Sequence, residues 1–276
     1  MTVDESAAPR QDAAEQAART AARVHEYGFF FDFDGTLAPI QEDPQTVAAV
    51  PGVLSALTEL SAAAELTAIV SARPVAFLAD RLGAVPSLHL YGLYGLEYSD
   101  DGGRTITTVP EAEPYAPVIA RVVAEARAAF PTALIEDKRL SCALHFRTEP
   151  GLEPEIEAWT AEQARTHGLR RQHGRMVVEL KPPLDTDKGA VVLRTSQDLA
   201  GAWYFGDDLG DLPAFRALDR LSAERPGFHA VRVAVANAEG RGAALGDQAD
   251  LRLAAPTDVP ALLNALLAAH RALDTP

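Results

Sequence analysis

Asp32 and Asp34 stand two positions apart in Asp32-Phe33-Asp34-Gly35-Thr36, at the end of the apolar run Gly28–Asp32 (GFFFD). Carboxylates at i and i+2 can both approach one centre when the backbone curls away after a strand. One can attack phosphorus as a nucleophile. The other can protonate a leaving oxygen and later deprotonate water. Gly35 permits the turn that this needs, and the hydroxyl of Thr36 can hydrogen-bond it. A lone Asp-x-Asp is more often an acidic turn, but the five-residue run directly after an apolar strand is far more specific.

Three downstream pieces fit the same chemistry. Ser71 ends a second apolar run, Leu66–Ser71, where it can donate a hydrogen bond to a phosphate oxygen; it equally suits a helix N-cap. Lys188, in DKGA, opens a helix and offers a cation to phosphate and to Asp32. Gly206-Asp207-Asp208-Leu209-Gly210-Asp211 follows the run AWYF. Carboxylates gathered at a strand end repel one another unless a cation binds, and oxygen ligands beside phosphate point to magnesium, Mg2+.

These residues need a scaffold that brings strand ends together. Short apolar runs at 28–32, 66–71, 88–91, 202–206, 230–236 and 250–253 alternate with helical stretches, such as those opened by Pro51 and Pro74. This pattern predicts an α/β fold with a parallel sheet covered on both faces. Open sheets of this kind place their sites at the carboxyl ends of the strands. The middle of the chain differs. Helices over 114–129 and 153–168 each precede a pair of strands, 132–138 with 140–147 and 169–173 with 175–181, and Pro182-Pro183 marks the return. The expected domains are an N-terminal disordered segment and surface helix over 1–26, a core over 27–109 and 184–276, and an inserted αββαββ unit over 110–183.

Strand phase sorts the insert's side chains, because successive residues face opposite sides. Cys142, Leu144 and Phe146 share one face; Ser141, His145 and Arg147 share the other. Met176, Val178 and Leu180 form an apolar face, with Arg175, Glu179 and Lys181 opposite and Val177 among them. Glu136 and Lys138 are likewise in phase. The polar face reads as a platform of carboxylates, amines and guanidinium groups, or as a solvated sheet surface.

Composition narrows the classes. The chain has 276 residues, 47% hydrophobic and 23% charged, with a net charge of −14. That acidity argues against nucleic acid as a partner. No apolar run reaches the roughly 18 residues of a membrane helix. The N-terminus lacks a basic segment followed by an apolar core, and one cysteine, Cys142, excludes an intrachain disulfide. A cytoplasmic location is expected, with no membrane partner. The oligomeric state is left open, a monomer being compatible.

The four motifs in order resemble those of the haloacid dehalogenase superfamily. Within it DFDGTLAPI (32–40), SAR (71–73), YGLYGLE (91–97), EDKRLSCALHFR (136–147), GRMVVELKPP (174–183), DKGAV (187–191) and GDDLGDLPAF (206–215) are similar to trehalose-6-phosphate phosphatases. The resemblance covers roughly residues 28–267 and implies a Rossmann-like core with an α+β cap inserted between the second and third motifs. The spacing agrees: Arg73 and Lys188 are 115 positions apart, Asp34 and Ser71 only 37. The resemblance implies a magnesium-dependent phosphomonoesterase acting on a small sugar phosphate, trehalose 6-phosphate, through an aspartyl-phosphate. Asp32 is then the nucleophile and Asp34 the acid–base residue, with Lys188 supporting both attack and phosphate binding. Ser71 and Arg73 join Lys188 on the phosphate. Asp32, the Asp34 carbonyl and Asp207 are implied metal ligands, with Asp208 and Asp211 supporting the metal shell or Lys188. Glu136, Lys138, Arg147, Arg175 and Glu179 match cap positions that bind sugar hydroxyls or phosphate. Ala72, Tyr94, Gly210, Leu212 and Pro213 depart from the usual family pattern. A phosphatase of sucrose phosphate or a glycosyl-3-phosphoglycerate is the alternative, and a non-catalytic sugar-phosphate sensor is a further one.

Overall fold

The computed structural model describes residues 13–41, 43, 45–174, 176–236 and 245–273. The start of the segment 1–26, read as disordered, and the candidate site residue Arg175 lie outside the described residues. In chain order the elements are α1 (Ala13–Ala21), β1 (Tyr27–Phe31), α2 (Val53–Ala63), β2 (Leu66–Val70), α3 (Val75–Leu82), β3 (His89–Gly92) and β4 (Glu97–Ser99). There follow β5 (Thr107–Thr108), α4 (Ala116–Ala129), β6 (Leu134–Asp137), β7 (Cys142–His145), α5 (Glu153–His167), β8 (Arg170–Gly174) and β9 (Val177–Lys181). The chain closes with α6 (Lys188–Thr195), β10 (Gly201–Gly206), α7 (Leu212–Glu224), β11 (His229–Val235), β12 (Leu251–Leu253) and α8 (Val259–Leu273). Two compact units result: residues 1–106 with 186–276, and residues 107–185.

In the first unit the strands lie in the order β12-β11-β10-β1-β2-β3-β4. They are parallel except for β4, which runs antiparallel on β3. Every residue of β1 is buried, as expected for a central strand covered on both faces. Phe29 and Phe31 pack on one face with Trp203, Phe205, Leu57, Leu78 and Leu263. Phe30 packs on the other with Tyr204, Val192, Phe215 and Leu218. Phe31 stacks on Phe205 at 4.6 Å between ring centroids, which fixes β1 beside β10. The sheet's order therefore sets the carboxyl ends of β10, β1 and β2 side by side, and with them Asp207, Asp32 and Ser71.

The α1 helix, expected at the surface, exposes Ala14, Glu15, Ala18 and Arg19 on one side. It buries Gln16, Ala17, Thr20 and Ala21. Trp203 Nε1 donates to Thr20 Oγ1 at 3.0 Å, tying α1 to the strand that carries Asp207.

The second unit is an αββαββ arrangement whose four-stranded antiparallel sheet has the order β6-β7-β9-β8. Cys142, Leu144, Phe146, Val178 and Leu180 enter its core beneath Ile119, Val122, Val123 and Ile156 of the two helices. The opposite phase carries Glu136 and Glu179, each paired in register with Ala143 of the strand between them.

Candidate active site

Asp32 emerges from β1 with its backbone N–H donating to the Phe205 carbonyl at 2.9 Å. After it the chain turns sharply. Gly35 N donates to Ala38 O at 2.7 Å, and Leu37 N donates to Phe33 O at 3.0 Å. Gly35 has φ +86°, and a Cβ there would lie 2.1 Å from Asp207 Oδ2. The Asp34–Gly35 peptide thus passes hard against the Asp207 carboxylate, an approach only glycine allows. Thr36, expected to hydrogen-bond this turn, does not: its hydroxyl is buried and has no hydrogen-bond partner among the described residues. Backbone bonds hold the turn instead.

Lys188 is the first residue of α6, whose N-cap Asp187 accepts a hydrogen bond from Ala190 N at 2.7 Å. Its ammonium, nearly fully buried, lies 2.7 Å from Asp32 Oδ1 and 2.7 Å from Asp211 Oδ1. Asp32, Asp207 and Asp211 each offer an oxygen within a 4.8 Å cluster. Burial raises the Asp32 pKa well above the usual carboxylate range; Lys188 opposes this and Asp211 adds to it. Burial likewise raises Asp207, with Asp32 and Asp211 adding to the effect. Burial works against the Lys188 ammonium too, but the Asp211 and Asp32 carboxylates outweigh it and hold its pKa above the ordinary lysine value. Three buried carboxylates around one ammonium leave the cluster short of positive charge. Hard oxygen donors lacking a cation fit a divalent metal such as magnesium.

Asp211 was expected to support the metal shell or Lys188, and its hydrogen bonds reach both Lys188 and the backbone of Asp207 and Asp208. Its Oδ1 accepts from Lys188 Nζ at 2.7 Å and Tyr204 Oη at 2.8 Å. Its Oδ2 accepts from Asp207 N at 2.9 Å and Asp208 N at 3.2 Å. Four donors fill the four lone-pair positions of a carboxylate, leaving none for a metal. Gly206 makes this possible, since a Cβ there would lie 2.4 Å from Asp211 Cγ. Asp208 Oδ1 caps the following turn by accepting from Gly210 N at 2.7 Å. Tyr204, which no motif singled out, is thus part of the site through Asp211.

Arg73, expected on phosphate, here meets Asp34. Its Nε donates to Asp34 Oδ2 and its Nη2 to Asp34 Oδ1, both at 2.8 Å. Ser71 is buried, and its Oγ accepts from Arg73 N at 3.2 Å, bracing the turn that leads into α3; it is not the N-cap offered as its other role, since α3 begins at Val75 with Pro74 in that position. Glu97, another residue given no role beforehand, accepts from Val75 N at 3.2 Å and so caps α3.

Within the second unit, Glu136, Lys138 and Glu179 come together. Glu179 Oε1 accepts from Lys138 Nζ at 3.2 Å and from Ser141 Oγ at 2.5 Å. Lys138 Nζ lies 3.8 Å from Glu136 Oε2, which also meets His145 Nε2 at 3.2 Å. Arg147 is exposed. The polar phase of this sheet is therefore a hydrogen-bonded network, with Lys138 and Glu179 buried in it.

Residues 30–247 match the trehalose-phosphatase family. The chain belongs to that family. Among its relatives, a trehalose-phosphate phosphatase of Mycobacterium tuberculosis (strain ATCC 25618 / H37Rv) is 35% identical over 197 residues, 67% of this chain and 50% of that protein. A trehalose-phosphate phosphatase of Mycobacterium avium (strain 104) is 34% identical over 200 residues, 68% of this chain and 50% of that one. The chain spans about half the length of the curated relatives it matches. The fold is that of the solved family structures. The C-terminal domain of a Candida albicans trehalose-6-phosphate phosphatase superposes with a TM-score of 0.73 at 20% identity, covering 96% of this chain and 99% of that one. A trehalose-6-phosphate phosphatase related protein gives 0.69 at 24% identity, with 90% and 99% covered. A haloacid dehalogenase-like hydrolase from Bacteroides thetaiotaomicron gives 0.56 at 14% identity, with 87% and 98% covered, which sets this trehalose-phosphatase family member in the haloacid dehalogenase fold. Among the described residues no helix is long and apolar enough to cross a membrane.

Proposed function

We propose that this chain hydrolyses trehalose 6-phosphate to trehalose and phosphate through an aspartyl-phosphate on Asp32. The observation that carries the reading is Asp32 itself: a buried carboxylate at the carboxyl end of β1, held by Lys188 at 2.7 Å, inside a trehalose-phosphatase family match. An Asp32 oxygen attacks phosphorus as the bond to the sugar oxygen breaks, and Asp34 gives that oxygen a proton. Water, losing a proton to Asp34, then attacks the phosphorus and frees the Asp32 carboxylate. Lys188 offsets charge on the phosphoryl group as it transfers. Magnesium, held by Asp32, Asp207 and the Asp34 carbonyl, would neutralise and orient the phosphoryl oxygens when bound. The segment 110–183 serves as the cap, and its Glu136, Lys138, Arg147, Arg175 and Glu179 read the sugar hydroxyls or the phosphate. A cytoplasmic location belongs to the same reading and rests on the single cysteine. The direct test is phosphate release from trehalose 6-phosphate, with sucrose phosphate as the competing substrate. Faster release from the latter overturns the substrate assignment.

Metal removal is expected to lower activity on the order of 10²-fold or more, the scale of several kcal/mol of lost charge stabilisation, with recovery on adding magnesium. Stability gives an independent readout. Asp32 and Asp207 have folded-state pKa values above those of the unfolded chain. Above about pH 4, where unfolded carboxyls ionise, the folded state holds more protons, so its stability falls as pH rises. Metal-free protein should therefore melt lower at pH 8 than at pH 5, and magnesium should raise the melting temperature more at pH 8. A melting temperature indifferent to magnesium at pH 8 contradicts the metal assignment.

For the sugar, Glu179→Ala should lower kcat/KM on trehalose 6-phosphate roughly ten- to a thousand-fold, the scale of one or two lost buried polar contacts. p-Nitrophenyl phosphate, which has no hydroxyls to read, should be affected much less. The alanine also removes an acceptor from Ser141 and one of the carboxylates beside Lys138, so Glu179→Gln, which still accepts from Ser141, should lose less stability. Equal losses on both substrates would assign Glu179 to folding rather than recognition.

A further inference from the structure

Arg73 and Asp34 form a forked pair, two hydrogen bonds of 2.8 Å each. The arginine side chain is 10% exposed and the aspartate 30%. The guanidinium is itself fixed from behind. It lies over the Phe77 ring at 4.3 Å from the centroid. Arg81 lies 3.5 Å from the same centroid. Arg81 in turn donates to Val47 O at 2.7 Å and Gln45 O at 2.6 Å, in the loop that follows the catalytic turn. Phe77 also meets Phe33, the residue between the two aspartates, edge-on at 6.1 Å. Sequence neighbours of Asp34 and the start of α3 are thus joined through one stack that ends in the fork.

A planar fork fixes both the position and the plane of a carboxylate, which a lysine's point charge does not. The fork occupies two of the four lone-pair positions of Asp34 and leaves one on each oxygen for a proton. We infer that Arg73 is a positioning residue for the acid–base step, setting the direction of the Asp34 carboxylate rather than gripping phosphate. This rests on Asp34 being the acid–base residue. The proton Asp34 gives to the sugar oxygen as the P–O bond breaks, and the one it later takes from attacking water, both pass through the oxygen that the fork aims. Misdirecting such a group by about 1 Å can cost on the order of 10²-fold.

The test compares leaving groups on magnesium-loaded enzyme in wild type, Arg73→Met, Arg73→Lys, Asp34→Asn and the Asp34→Asn/Arg73→Met double variant. A sugar alkoxide needs a proton to leave; p-nitrophenolate does not. Arg73→Met should lower turnover of trehalose 6-phosphate on the order of 10²- to 10³-fold, within the range of general acid–base contributions. It should change the burst rate of p-nitrophenolate release less than about ten-fold, because proton donation contributes little when the leaving group is already stable. Arg73→Lys should recover little of the loss, since it lacks the fork, and it serves as the folded comparison if the methionine variant is unstable. In the Asp34→Asn background Arg73→Met should add at most a few-fold, because residues acting as one unit are non-additive. Equal losses for both leaving groups, or losses that multiply in the double variant, overturn the inference and return Arg73 to phosphate binding. If Asp34→Asn alone keeps near-normal turnover of the sugar phosphate, the underlying acid–base reading fails instead, whatever Arg73 does.

Discussion

Asp32→Asn is expected to lower phosphate release by a factor on the order of 10⁴ or more, as removal of a nucleophile does elsewhere, while the fold stays intact. The amide nitrogen cannot attack phosphorus, and no neighbouring carboxylate can replace it. Asp207 follows the end of the neighbouring strand β10 and lies against the Gly35 turn, and Asp211 has all its lone pairs engaged. The structural cost is small because Lys188 keeps Asp211 at 2.7 Å after Asp32 loses its charge. Removing one of three crowded carboxylates also relieves the repulsion that raises the Asp207 pKa, where Asp32 is the largest contributor after burial. The metal-free variant should therefore melt no lower than wild type. Phosphate release over hours at high enzyme concentration, alongside a melting curve, checks both halves. Release within ten-fold of wild type would remove Asp32 from the chemistry.

The sequence made the strand ends legible and left the side-chain directions hidden. An apolar run such as GFFFD, followed by a turn, reads as a buried strand whose last residue emerges at one end of the sheet, so the pattern alone gathers Asp32, Ser71 and Asp207. Phase did the same for the second unit, since a period of two leaves Cys142, Leu144 and Phe146 no other face. The antiparallel β4 was not visible because Glu97–Ser99 is too short to show a period. Arg73 could be placed beside Ser71, but its partner is 39 positions away, and nothing local tells a guanidinium whether to meet phosphate or Asp34. Thr36 shows the opposite failure: a hydroxyl apt for bonding a turn is idle because backbone bonds already close it. Tyr204 carried a usable signal. It alternates with Trp203 and Phe205 along β10, so it faces the side of the sheet that α6 and Lys188 cover, and a buried tyrosine hydroxyl needs a partner.

Asp211 and Asp207 share one motif, and their asparagine variants should shift stability in opposite directions. Asp211 has no exposed surface, and two donors converge on each of its oxygens. An asparagine there keeps the shape but turns an NH2 toward one pair, either Lys188 and Tyr204 or the two backbone N–H groups. It also withdraws the carboxylate that contributes most to keeping Lys188 ionised. Breaking a buried charged pair in this way costs about 3–5 kcal/mol. Relief of repulsion with Asp207 offsets part of this but replaces none of the lost acceptors, so the net effect is destabilising. The turn 206–211, which Asp211 braces through the N–H groups of Asp207 and Asp208, should loosen, and activity should fall on the order of 10²-fold or more, as for displaced catalytic groups generally. Asp207 presents the reverse balance. Burial and the nearby Asp32 and Asp211 make its ionised form costly in the metal-free protein, and asparagine removes that cost. In EDTA at pH 8 the melting temperatures should rank Asp207→Asn above wild type and wild type above Asp211→Asn. With magnesium the first gap should close or invert, since Asp207→Asn loses a ligand and binds the metal more weakly, while Asp211→Asn stays below wild type. Shifts of the same sign in EDTA would show that the two carboxylates do the same work, and the distinction between metal ligand and lysine anchor would fall.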